Sequence, residues 1–339
     1  MGIASSVLLA LHLVCMNVVA AGPLVAAWLD RKASYGDKES QSAIRRLMAL
    51  CCVLIPVGAV LGLGMGWLYW SDAYHEIVSR FGYRIRWGII EFAFSAALIV
   101  LYTGWIWVRP RAGTGAWSVR TLLAVATSTN LLYHFPPLFS LMASAAAGDL
   151  SLEQDVDSAT FRRLLMHGEV LALSTHFAIA SFAVTGVALA LLASGRWNAL
   201  ATNARIAVWG ARMALVSTLC QLPAGIWLLM RIPASEQRRL LGGDIVAATL
   251  FVSALMGTFW LLHQLAAVAF GDTSRGTIRR ATMALFLVVL LMTGTLQRGQ
   301  RYATKMKPMA REQQDEKVVQ FAVRASRAPE QPRRPHHEL

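Results

Sequence analysis

Histidine and glutamate placed inside apolar segments are the residues of this chain best suited to chemistry. Five of its eight histidines, His12, His134, His167, His176 and His263, fall within runs apolar enough to cross a membrane. Of the nineteen acidic residues only Glu91 and Glu169 do the same. An ionisable group at bilayer depth costs about 2.5–3.5 kcal/mol on insertion scales, so its presence asks for a compensating role. Imidazole at that depth is suited to ligating the iron of a non-covalent haem b, and a carboxylate there is suited to passing protons. The first expectation is a membrane protein that moves electrons, with Glu91 handling protons. His12, His134 and His176 are the pool for axial ligation.

These groups need elements to carry them. The chain has 339 residues, 56% of them hydrophobic and 15% charged, too apolar for an ordinary soluble surface. Its net charge of +13 would suggest nucleic acid in a soluble protein. Here Lys and Arg lie in the connections and the C-terminal tail, where they meet lipid headgroups, so nucleic acid is excluded as a partner. Cys15, Cys51, Cys52 and Cys220 all lie in apolar runs and form neither CxxC nor CxxCH. Covalent haem and a disulfide framework are therefore not encoded.

Hydropathy predicts an all-α transmembrane bundle of about eight spans, near 4–29, 47–70, 87–108, 121–147, 164–194, 206–230, 245–270 and 281–297. The first lacks a basic leader and exceeds a secretory apolar run, so it reads as a retained helix. Gly22-Pro23 is expected to kink it before Trp28 and Asp30 end it. Connections are short, and no internal repeat of the kind found in secondary transporters is visible. The chain divides into a bundle, 1–297, and a tail, 298–339, that holds ten Lys or Arg with five acids and should lack a fold. Lys and Arg are equally numerous on the two sides, so charge does not orient the bundle.

Depth and face can be read relative to the side that holds the termini. His12 and His176 lie about 12 and 18 Å into their spans, and His134 is central. His167 lies within a turn of the terminal side, and His263 nearer the other. His167 and His176, nine apart, point to opposite faces. Asn130 shares a face with His134 and is placed to orient its ring, or simply to bond a neighbouring helix. Pro136 and Pro137 are expected to break the helix locally. Arg212, a turn inside its span, pairs a haem propionate or snorkels to the interface. Each histidine has the plainer alternative of a packed polar group.

Leu11-His12-Leu13 in the first span, Glu91 with Gly104-Trp105 in the third, and Ala180-Ser181-Phe182-Ala183-Val184-Thr185-Gly186 in the fifth together resemble subunit I of cytochrome bd-type quinol oxidases. The likeness covers roughly residues 5–195. It implies haem b ligands on the first and fifth helices, iron or proton chemistry at the third-helix glutamate, and a bacterial inner-membrane location with the terminal side facing the periplasm. The family's long quinol-binding connection is here only 231–244, its Gly-Arg-Gln-Pro-Trp motif is absent, and its second glutamate in the third helix is missing. What the resemblance then implies is a shortened relative: a haem b subunit that exchanges electrons between quinol and a cytochrome or iron–sulfur partner without reducing oxygen itself. A transporter, a channel and a structural subunit of a respiratory assembly are the other classes that place such polar groups in spans.

Overall fold

The computed structural model describes residues 2–33, 37–68, 70, 72–109, 114–147, 155–195 and 203–298; the tail expected after 298 lies outside the described residues. Its regular structure is helical throughout. In chain order the helices are α1 (Gly2–Ala33), α2 (Lys38–Leu68), α3 (Asp72–Arg80), α4 (Gly82–Val108), α5 (Thr114–Ala147), α6 (Ser158–Leu165), α7 (Gly168–Ala193), α8 (Ala204–Arg231), α9 (Ala234–Arg238), α10 (Ile245–Ala269) and α11 (Arg275–Arg298). Seven of them, α1, α2, α4, α7, α8, α10 and α11, are long and apolar enough to cross a membrane. The eighth expected span is α5, which is 34 residues long but more polar. It packs against α1, α4 and α7 and so belongs to the same bundle.

Short polar residues set the helix starts. Asp37 accepts from the Glu39 and Ser40 amides ahead of α2, Asp157 from Thr160 ahead of α6, Asn203 from Ile206 ahead of α8, and Asp244 from Val246 and Ala247 ahead of α10. Each satisfies amides that the first helical turn leaves without partners. Several limits differ from the expected spans. α1 stays helical through Gly22-Pro23 and past Asp30, and α5 through both prolines. α2 starts nine residues earlier than hydropathy placed it (38 against 47), because its first turns are amphipathic. The expected span at 164–194 is two elements: amphipathic α6, then α7.

Small residues make the close helix contacts. A Cβ on Gly186 of α7 would lie 2.5 Å from the Gly210 carbonyl oxygen of α8, and a Cβ on Gly210 would lie 2.7 Å from the Gly186 carbonyl oxygen. That backbone-to-backbone approach is how helices associate where lipid removes the hydrophobic drive. On the terminal side, α3, α6 and the end of α5 enclose a second apolar cluster that includes Phe81, Leu138, Met142, Val156 and Phe161.

The long helices of the first half, α1, α2, α4 and α5, and of the second, α7, α8, α10 and α11, share several spacings of buried positions. All five buried positions of α4, Gly88, Ser95, Ile99, Tyr102 and Ile106, recur at one constant interval as Ala247, Ala254, Thr258, Leu261 and Leu265 of α10. Arg120, Ala124, Thr127 and Ser128 of α5 recur as Thr277, Ala281, Ala284 and Leu285 of α11, all buried. In α1 and α7, His12, Asn17 and Gly22 match His176, Ser181 and Gly186, again at one interval. Their antiparallel partners α2 and α8 each carry Pro-x-Gly, at Pro56–Gly58 and Pro223–Gly225. α1 and α7 meet at Asn17 and Ser181, where Ser181 Oγ donates to Asn17 Oδ1 at 2.7 Å.

Candidate functional site

His12 projects from α1 onto α2. Its Nδ1 donates to the Gly58 carbonyl oxygen at 2.8 Å. A carbonyl can only accept, so the proton sits on Nδ1 and Nε2 keeps its lone pair. Gly62 makes room for the ring: a Cβ there would meet His12 Cε1 at 2.9 Å. His176 projects from α7 onto α8, where a Cβ on Gly225 would lie in ordinary contact with its ring, 3.8 Å from Cε1. The Nδ1 of His176 is buried with no hydrogen-bond partner among the described residues. The two imidazoles therefore lean on different helices, His12 on α2 and His176 on α8.

Glu91 of α4 and His134 of α5 come together, with Oε2 3.0 Å from Nδ1 and both side chains about one-fifth open. The oxygen lies off the line of a ring N–H, so the pair is an electrostatic contact without a well-aligned hydrogen bond. Asn130 does not orient the ring. It donates instead to the Glu91 carbonyl oxygen and to Ser95 Oγ, both at 2.8 Å, and so fastens α5 to α4 beneath the pair. Arg84, two turns before Glu91 on α4, lies with its guanidinium 4.2 Å over the Phe161 ring. Arg84, Glu91 and His134 thus form a polar group on the terminal side of this helix pair.

The other expected residues separate from this layer. His167 is exposed in the turn that starts α7, outside the span in which it was expected, because α6 ends at Leu165 and the chain re-enters the bundle only after it. His263 is exposed on the outer face of α10, since Leu261, Gln264 and Leu265 take the buried face. Neither is placed to ligate a group inside the bundle. Arg212 donates from Nε to the Ala269 carbonyl oxygen at 3.1 Å, closing the C-terminal end of α10 at the far side. That location leaves it away from the histidines of the terminal half.

Sequence reading also missed a buried ion pair. Asp30, expected to end the first helix, is 1% exposed, and Arg120 of α5 is 0% exposed. Arg120 Nη1 donates to both carboxylate oxygens, at 3.1 and 3.2 Å, and Nη2 donates to the Arg109 carbonyl oxygen. The guanidinium lies 5.6 Å from the Trp105 ring centroid. The signal was available, since an acid near the end of one span and a base near the start of another can meet on the same side. Among the described residues no cluster of three or more His, Cys, Asp or Glu could hold a bare metal ion. No protein family, curated protein or solved structure matches this chain.

Proposed function

We propose that this multi-pass membrane protein is the haem b subunit of a quinol-linked electron-transfer complex, working in a bacterial inner membrane with a cytochrome or iron–sulfur partner. The observation that carries the reading is His12. A backbone carbonyl holds its Nδ1 proton and a glycine clears space for its ring, which leaves Nε2 as the donor atom an axial ligand needs. His176 supports it with an orphaned buried ring nitrogen at the equivalent place. Bound haem would supply one-electron chemistry. The chain's own residues would fix the imidazoles, exclude water and handle protons. Glu91, held against His134, is suited to accepting a proton released by quinol oxidation, and the Asn130 clamp keeps α4 and α5 in register around it. Quinol is the proposed reductant, and no oxygen reduction is assigned.

The test is spectroscopic. Purified protein should give a b-type pyridine haemochrome. His12→Ala and His176→Ala should each remove one component, while His263→Ala should leave the spectrum unchanged. Glu91→Gln should slow haem reduction by a quinol analogue without lowering haem content. Protein that folds and purifies without colour, or retains full haem in the His12→Ala/His176→Ala double variant, overturns the proposal.

A further inference from the structure

At the end of the bundle remote from the histidine layer, α1, α8 and the turn after α10 enclose a cleft of about 420 Å³. Its walls include Trp28, Lys32, Arg205, Trp209 and Arg212. Trp28 and Trp209 stack with centroids 4.2 Å apart and planes 13° from parallel, and Lys32 Nζ sits 4.1 Å from the Trp28 centroid. The one acid in the lining, Asp37, is taken up by Ser40 and Arg205, and Arg205 also reaches Glu39. Two cations remain. Among the described residues Lys32 is exposed with its ammonium over the indole face and no ion-pair partner, and Arg212 spends Nε on the Ala269 carbonyl, leaving both Nη groups without a partner. The N-terminus of α8 opens into the same cleft and adds its partial positive charge.

Directly along α8 from these cations runs a stripe of exposed apolar residues at helical spacing: Val216, Leu219, Ile226 and Met230. A cationic pocket at the interfacial end of a lipid-facing apolar stripe matches one ligand in both parts, a phosphodiester with acyl chains attached. Stacked indoles at that level are the usual neighbours of a headgroup, and basic pockets between membrane helices recognise anionic ones. We infer that this cleft binds the phosphate headgroup of an anionic phospholipid, between Lys32 and Arg212, with a chain lying along α8.

The experiment uses the full chain, delipidated in neutral detergent, and native mass spectrometry with added phosphatidylglycerol, phosphatidylcholine or inorganic phosphate. Phosphatidylglycerol should be retained at least fivefold better than phosphatidylcholine, and inorganic phosphate at millimolar concentration should not displace it. Lys32→Glu, at an exposed site whose ammonium rests on the Trp28 indole, should lower phosphatidylglycerol retention at least fivefold. Arg212→Lys keeps the charge and should lower it less. Equal retention of the two lipids, or an unaltered Lys32→Glu protein, overturns the assignment. Displacement by inorganic phosphate would instead show a site for the free anion and would equally overturn the lipid reading. Haem content does not enter any arm, so the outcome is separate from that of the electron-transfer proposal.

Discussion

Removing Asp30 should be among the most damaging single changes in the bundle, and the structure says why. Asp30→Ala leaves the Arg120 guanidinium at 0% exposure with one backbone carbonyl and the Trp105 ring for company. At 3.1 Å and an effective dielectric of about 20, the pair's attraction is about 5 kcal/mol, most of which offsets the desolvation of both groups. Breaking such a pair from one side costs about 3–5 kcal/mol, whereas replacing both partners by apolar residues of similar volume is often close to neutral. The expected outcome is therefore about 3–5 kcal/mol lost in Asp30→Ala and much of it regained in Asp30→Leu/Arg120→Met. Reversible unfolding in mixed micelles, followed by tryptophan fluorescence, gives both values and the coupling between the sites. If Asp30→Ala costs less than about 1 kcal/mol, or the two single losses simply add, the pair is not the clasp described here.

Other outcomes follow from named contacts. Gly186→Ala should cost about 1–3 kcal/mol, because its new methyl meets the backbone of α8 at 2.5 and 2.8 Å, while Gly88→Ala, with nearest atoms at 3.7 Å, should change the melting temperature little. Asn17→Ala should cost about 0.6–1.7 kcal/mol in the same unfolding assay, the range for a hydrogen bond between membrane helices. Burial pushes the Asp37 carboxyl up, but the Ser40 hydroxyl and Arg205 outweigh it and hold the group below the usual carboxylate range. A depressed folded-state value means the Asp37 contribution is present above the ordinary value near ~3.9 and disappears as pH falls through the lower folded one. Amide exchange at the start of α2 should thus accelerate below about pH 4, and Asp37→Asn should flatten that acid limb.

The helical class and the spans were legible because apolar runs of spanning length admit few other structures. Hydropathy failed at the edges, where amphipathic turns such as the first two of α2, and all of α6, continue the backbone without continuing the apolar pattern. The histidines divided by rotation as much as by depth. His263 has the sequence context of a buried ligand, and only the contacts of α10 show that its neighbours Leu261, Gln264 and Leu265 take the inner face. The meeting of Glu91 with His134 was not legible, since helix pairing is not written in either helix alone. Asn130 was correctly placed on the face of His134, yet its amide reaches α4, because Ser95 and a backbone carbonyl lie closer than the ring it was expected to orient.

The two halves of the bundle do not share its load. Where the first has Asp30, Glu91, Arg120 and His134, positions at the same spacing in the second hold Ser194, Leu250, Thr277 and Leu291. His12 and His176 are the same residue in both, as are Gly22 and Gly186, and Ala124 and Ala281. The costly charges thus gather in the first half of the bundle, and the second supplies tight, inexpensive packing such as the Gly186–Gly210 approach. Motions that exchange the roles of two equal halves would find no counterpart here for the charged groups.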